Sequence, residues 1–187
     1  MGALTILGGR IPALTTSEPL AGVTLVLGGA RSGKSAYAEA LVARADTPVY
    51  LATAEAGDGE MAERIRLHRA RRGPHWTTVE EPLDLAGRLA ALAAPGRAVL
   101  VDCLTLWLSN LIGAGRNLDA AGTGLVRALP ALIGPVVFVA NEVGLGIVPD
   151  NALARAFRDA AGRLNQEIAA AADRVVFVAA GLPLTLK

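Results

Sequence analysis

Gly28-Gly29-Ala30-Arg31-Ser32-Gly33-Lys34-Ser35 fits G-x-x-x-x-G-K-[ST], the pattern of a phosphate-binding loop, the P-loop. Both flanks agree with it. Val23-Thr24-Leu25-Val26-Leu27 is a short apolar, β-rich run and reads as a strand. Ser35 to Val42 holds good helix formers with no Pro or Gly, and reads as a helix. Strand, glycine loop and helix succeed one another in the order the motif requires.

The glycines let successive N–H groups point into one hollow with no Cβ in the way. The helix after the loop aims the positive end of its dipole at the same hollow. Lys34 is expected to place its ammonium on the β- and γ-phosphates of a nucleoside triphosphate, and Ser35 to give its hydroxyl to Mg²⁺. The motif specifies the triphosphate; it specifies neither the base nor the reaction.

Composition agrees with one α/β domain around a largely buried parallel sheet: 187 residues, 52% hydrophobic and 19% charged. A formal net charge of +1 gives no bulk electrostatic pull toward nucleic acid or membrane. No apolar run has the length of a membrane span. Cys103 is the one cysteine, which excludes an internal disulfide and a cysteine-rich zinc site. A lone thiol fits a reducing compartment, and the cytoplasm is the expected location. Residues 1–22 lack a compact apolar stretch with a clean cleavage site after it, so they read as a loose extension rather than a signal peptide. Residues 23–187 are the expected nucleotide-binding catalytic domain.

Outward from the loop, strands and helices alternate. Pro48 to Thr53 reads as a strand, Ala54 to Gly59 as a loop, and Glu60 to Arg72 as a helix stopped by Gly73-Pro74. Trp76 to Glu80 is β-like and Leu83 to Ala91 helical. Ala98 to Asp102 is a buried strand ending in an acid, and Leu104 to Ile112 a helix. Gly113 to Gly124 is rich in glycine and polar residues and reads as a loop; Leu125 to Leu132 reads as a helix. Pro135 to Ala140 is another buried strand, and Val143 to Pro149 a loop. Asp150 or Asn151 can cap a long helix reaching Ala172. Val175 to Ala179 is a strand, Gly181 and Pro183 a turn, and Leu184 to Leu186 a final edge strand. This order predicts a three-layer sandwich of the P-loop NTPase type, a mostly parallel central sheet with helices on both faces.

Asp102 closes its strand where a Walker-B carboxylate holds Mg²⁺ or its water. With a full P-loop upstream, metal binding is the better reading than a strand-end cap. Glu142 stands in a similar place on the next buried strand, and there a plain loop or interface acid explains it equally well. On a helix, His68 has Arg64 at i−4, Arg71 at i+3 and Arg72 at i+4. Guanidinium groups nearby favour a neutral, nucleophilic imidazole, and they can grip a triphosphate bidentately. From spacing alone, however, a solvated basic face with an incidental histidine is the better account. His75, between Pro74 and Trp76, reads as a packing histidine at a turn.

Several stretches together resemble one family. They are the P-loop itself, Tyr50-Leu51-Ala52-Thr53-Ala54, Glu60 to Ile65 running on to His68-Arg69, His75-Trp76, Asp102-Cys103-Leu104-Thr105, Asn141 to Pro149 and Phe157 to Gln166. From about Val23 to its end the chain is similar to the bifunctional adenosylcobinamide kinase/adenosylcobinamide-phosphate guanylyltransferases of cobalamin biosynthesis. The resemblance implies phosphorylation of the aminopropanol hydroxyl of adenosylcobinamide by ATP or GTP. It then implies transfer of GMP from GTP to that phosphate through a guanylylated histidine, giving adenosylcobinamide-GDP and pyrophosphate. By motif position the histidine is His68, which reverses the reading from spacing. Gly28, Gly29, Ala30, Arg31, Ser32, Gly33, Lys34 and Ser35 would bind nucleotide, with Ala52, Thr53, Ala54, Arg69, Ala70, Arg71, Arg72, Glu80 and Asp102 around GTP. Ser35 and Asp102 would hold Mg²⁺. The resemblance also implies a homo-oligomer, in the form of a trimer. Two rival classes remain open. A small-molecule kinase without a covalent step leaves His68 idle, and a nucleotide-binding switch leaves the likeness beyond the loop unexplained.

Overall fold

The apolar runs read from the sequence become strands of one seven-stranded sheet. The computed structural model describes residues 20–54 and 72–187. Residues 1–19 of the expected extension at 1–22, most of the loop at 54–59 and the basic helix at 60–72 lie outside the described residues, save Ala54 and Arg72.

In chain order the elements are β1 (Val23–Gly28), α1 (Lys34–Val42), β2 (Thr47–Ala52), β3 (Thr77–Glu80), α2 (Leu85–Leu92), β4 (Arg97–Asp102), α3 (Leu104–Gly113), α4 (Leu118–Ala128), a 3₁₀ turn (Leu129–Ala131), β5 (Val136–Asn141), α5 (Ala152–Ala171), β6 (Arg174–Ala179) and β7 (Leu182–Thr185). The strands lie in the order β3-β2-β4-β5-β1-β6-β7. Strands β1 to β6 run parallel, and β7 returns antiparallel on β6.

Successive side chains of a strand point to opposite faces, and here both faces are covered. Leu25, Leu51, Val99, Val101 and Phe138 pack on one side with Leu85 and Leu89 of α2, Trp107 of α3, Leu125 of α4 and Ile168 of α5. Val26, Tyr50, Leu100, Val137 and Val139 face the other side, against Tyr37, Ala38, Leu41 and Val42 of α1. The interleaved residues explain why these strands read as continuous apolar runs instead of alternating ones. Among the described residues no helix is long and apolar enough to cross a membrane.

Two expectations from the sequence are corrected. Part of the stretch taken as a loop, Gly113 to Gly124, is the first half of α4, which runs on through Ala128. Interior Gly122 and Gly124 cost this helix roughly 2 kcal/mol together. The Asn117 side chain caps it by accepting from the Ala120 N–H at 2.9 Å, a contribution of about 1 kcal/mol. Burial of Leu125 adds about 1.5–3 kcal/mol, so the balance favours helix. Gly122 also has a packing reason: a Cβ there would stand 3.3 Å from Leu164 Cδ1 of α5.

The second correction concerns the hairpin. Its turn is Ala180-Gly181, both at positive φ (50° and 80°), as a two-residue hairpin loop requires. Pro183 belongs to β7, opposite Val178; it is tolerated because β7 is an edge strand.

Candidate active site

Open parallel sheets bind ligands beyond the carboxyl ends of their strands. Strand register brings the candidate residues to that edge. Gly28 stands opposite Asn141, and Ala52 opposite both Asp102 and Glu80. Because β5 lies between β1 and β4, Asn141 sits between the glycine loop and the strand that carries Asp102.

The P-loop is braced from three directions. Within it, the Ser32 N–H donates to Gly29 O at 3.3 Å. From β5, the Glu142 N–H donates to Gly28 O at 3.1 Å, and from the β6–β7 turn the Gly181 N–H donates to Ser32 O at 2.8 Å. Glycine is obligatory at 28, because a Cβ there would come within 2.5 Å of both Ser32 Oγ and the Val178 carbonyl oxygen. Gly33, the N-cap of α1, has φ 97°, a left-handed value that disfavours side chains. Lys34 is only 9% exposed. Its ammonium lies across the loop, donating to Gly29 O at 3.1 Å. A buried cation, a helix N-terminus and glycine N–H groups thus surround one hollow suited to a polyphosphate.

Asp102 is half-buried at the end of β4, and its Oδ2 accepts from the Tyr50 hydroxyl at 3.1 Å. Burial, and then the Asp102 charge, hold the Tyr50 phenol well above its ordinary range, so Tyr50 stays protonated and donates. The Asp102–Cys103 peptide is cis. Thr53 clamps Cys103 on both sides: its Oγ1 donates to Cys103 O and accepts from the Cys103 N–H, both at 2.8 Å. Asn110 of α3 ties down the same corner, donating to Thr53 O at 2.7 Å and to Pro82 O at 3.2 Å. Burial, and after it the Asp102 carboxylate, push the Cys103 thiol up to about 11. The thiol is therefore protonated at neutral pH and a poor nucleophile.

The structure thus brings the P-loop, Ala52, Thr53, Glu80 and Asp102 to one edge, though it commits the Thr53 hydroxyl to Cys103. Arg72 is buried: its guanidinium carbon lies 3.3 Å from the centroid of the Tyr50 ring, and it pairs with Glu39 of α1 at 3.7 Å. His68, Arg69, Ala70 and Arg71 lie outside the described residues. His75 is exposed beside Trp76, the ring centroids 6.3 Å apart. Two residues of the site were not singled out from the sequence. Tyr50 could have been, since a tyrosine inside an aliphatic buried strand needs a partner for its hydroxyl. Asn141 Oδ1 is buried with no hydrogen-bond partner among the described residues; its type gave no such signal. Glu142, for which two readings stood open, accepts from the Gly144 N–H at 2.7 Å, the bond of a loop acid.

Solved structures share this architecture. An ATPase from the type III secretion system of pathogenic bacteria superposes with a TM-score of 0.53 at 11% identity, over 84% of this chain and 51% of its own. The P4 protein of bacteriophage phi13 gives 0.51 at 16% identity, over 92% and 56%. This chain spans about half of each, and at such identities the likeness concerns the fold alone: that of a P-loop NTPase. Sequence goes further. Residues 24–186 match the family described as cobinamide kinase / cobinamide phosphate guanyltransferase. The bifunctional adenosylcobalamin biosynthesis protein CobP of Pseudomonas aeruginosa is 53% identical over 166 residues, covering 87% of this chain and 96% of that protein. CobU of Salmonella typhimurium, named likewise, is 44% identical over 178 residues, covering 87% and 98%. Likeness of this degree running nearly end to end establishes kinship: the chain belongs to the cobinamide kinase / cobinamide phosphate guanyltransferase family.

Proposed function

We propose that this chain performs both reactions for which its family is described. The observation that carries the reading is the 53% identity to a bifunctional relative across 87% of a chain whose P-loop is fully built. In the first reaction the aminopropanol oxygen of adenosylcobinamide attacks the γ-phosphorus of ATP or GTP. A new O–P bond forms, the bond to the β-phosphate oxygen breaks, and the nucleoside diphosphate leaves. Lys34 and the loop N–H groups hold the β- and γ-oxygens in line for this. In the second, His68 attacks the α-phosphorus of GTP and pyrophosphate leaves. The substrate's phosphate then displaces the histidine, giving adenosylcobinamide-GDP. Arg69 and Arg71 accompany His68 in this reading, as cations for the leaving pyrophosphate, whereas the Arg72 guanidinium is buried against Tyr50 and Glu39. Ala52, Ala54 and Glu80 border the nucleotide.

Ser35 and Asp102 offer hard oxygens and no soft ligand, the donor set that Mg²⁺ takes beside substrate phosphates. Among the described residues no cluster of three His, Cys, Asp or Glu side chains could hold a metal by itself, which fits an ion shared with the nucleotide. When bound, Mg²⁺ supplies charge neutralisation on the β- and γ-oxygens. Asp102→Asn keeps the shape and deletes the charge. Its Mg²⁺ titration is expected to shift to higher concentration by roughly tenfold or more, with slow turnover. An unchanged titration would assign Asp102 to the role of a strand-end cap.

Incubation of the protein with adenosylcobinamide, GTP and Mg²⁺ tests the whole reading. Adenosylcobinamide-GDP and pyrophosphate are expected; phosphorylated substrate alone would remove the transferase half. We further infer a homotrimer in the cytoplasm. Leu145, Ile147 and Val148, 82%, 98% and 63% exposed within four residues of one loop, support self-association, because clustered exposed apolar side chains favour an interaction site. A monomeric mass in sedimentation would remove that part.

A further inference from the structure

Tyr50 sits in the middle of a buried strand where phenylalanine would fill the same space. Its hydroxyl must then answer to something other than packing, since burying a hydroxyl costs free energy unless it is hydrogen-bonded. It donates to Asp102 Oδ2 at 3.1 Å, joining β2 to β4 across a sequence separation of 52 residues. Behind the ring lies Arg72, stacked at 3.3 Å. The Nε and Nη1 of that guanidinium are buried with no hydrogen-bond partner among the described residues. Stacking and the 3.7 Å pairing with Glu39 therefore hold it, and planar stacking is what arginine does and lysine does not. Glu39 belongs to α1, the helix that begins at the P-loop. A buried chain of contacts, Glu39 to Arg72 to Tyr50 to Asp102, thus runs from the P-loop helix to the Asp102 carboxylate.

We propose that Tyr50 is a positioning residue, fixing one oxygen of Asp102 so that the carboxylate is set for the metal of the bound nucleotide, with Arg72 fixing the Tyr50 ring in turn. This rests on the reading of Asp102 as a metal-binding acid. Two effects of losing the hydroxyl oppose each other. A carboxylate without its donor carries more negative charge toward a cation, but it rotates freely about its last bond. Groups that orient metal ligands are typically worth 10–100-fold in metal affinity, so orientation is expected to win.

The test compares the affinity for a non-hydrolysable GTP analogue in Mn²⁺ with that in EDTA, by calorimetry. Tyr50→Phe is expected to lose about tenfold of the gain due to Mn²⁺, with its affinity in EDTA unchanged. Its kinase rate is expected to recover at high Mg²⁺. Asp102→Asn should lose the Mn²⁺ gain as well. Arg72→Lys keeps the charge facing Glu39 and loses the planar stack, and should weaken the gain in the same direction. A Tyr50→Phe protein that keeps the full Mn²⁺ gain while Asp102→Asn loses it overturns the proposal. So does one that loses affinity equally in Mn²⁺ and EDTA, the signature of a packing role. An undiminished gain in Asp102→Asn would instead defeat the reading of Asp102 itself, and the proposal with it. An unaltered gain in Arg72→Lys would strike out the part assigned to Arg72.

Discussion

Lys34→Ala is expected to lower both reactions by roughly a thousandfold, at the upper end of what removing one group that stabilises transition-state charge costs. In the structure the Lys34 ammonium already lies over the loop, 3.1 Å from Gly29 O, so little rearrangement separates this pose from one on a β,γ-phosphate bridge. The alanine protein should fold. The Gly29 carbonyl that loses its donor belongs to a half-buried loop residue with open space beside its Cα, and water can replace the ammonium. The other loop braces, Glu142 N–H on Gly28 O and Gly181 N–H on Ser32 O, do not involve Lys34. Steady-state rates for both half-reactions, read beside a thermal unfolding curve, check this. Near-normal kinase activity in a folded Lys34→Ala protein would take the P-loop out of the mechanism.

His68→Ala is expected to abolish guanylyl transfer while leaving phosphorylation of adenosylcobinamide measurable, because γ-phosphoryl transfer to an alcohol needs no covalent enzyme intermediate. The motivation is the match at Arg64-Ile65 and His68-Arg69 and a cationic neighbourhood suited to a neutral imidazole and an anionic leaving group. With α-labelled GTP, the wild type should retain label through alkali and release it in mild acid, the behaviour of a phosphoramidate. A phosphoester to Ser or Thr resists acid. His68→Ala should take up no label, whereas His75→Ala should still be labelled. Normal labelling of His68→Ala with loss in His75→Ala would move the nucleophile to His75. If neither histidine matters, covalent catalysis fails for this chain.

The parts of the fold that were legible were those where local chemistry and tertiary demand coincide. Val136 to Ala140 is apolar throughout because helices cover both sides of β5, and a run of that kind can be read directly. The loop motif was legible because its glycines answer local constraints, such as the left-handed φ of 97° at Gly33 and the Ser32 Oγ facing Gly28. The start of α4 was not legible: Gly122 and Gly124 speak against a helix, and the burial of Leu125 that outweighs them depends on a core assembled from distant parts of the chain. The Tyr50–Asp102 bond was hidden for a related reason. Each residue is ordinary in its own strand, and only the pairing of β2 with β4 brings them together. Asp102 stands out in the sequence because an acid closing an apolar strand downstream of a P-loop is itself a pattern. His68 is singled out by resemblance and not by spacing, and it lies outside the described residues.

The strand order also dictates when, during synthesis, the nucleotide site can exist. Strand β1, which leads into the glycine loop, pairs with β5 and β6 and with none of the strands near it in sequence. A nascent chain that ends after β4 carries every residue of the loop yet lacks both neighbours of β1. Apolar Leu25, Val26 and Leu27 then wait with open hydrogen-bonding edges, the kind of exposure that makes incomplete chains prone to aggregation. The hairpin turn that props Ser32 arrives later still, after β6. The first described strand to leave the ribosome is thus among the last to be secured, and the glycine loop gains its braces only once β5 and the β6–β7 turn are in place.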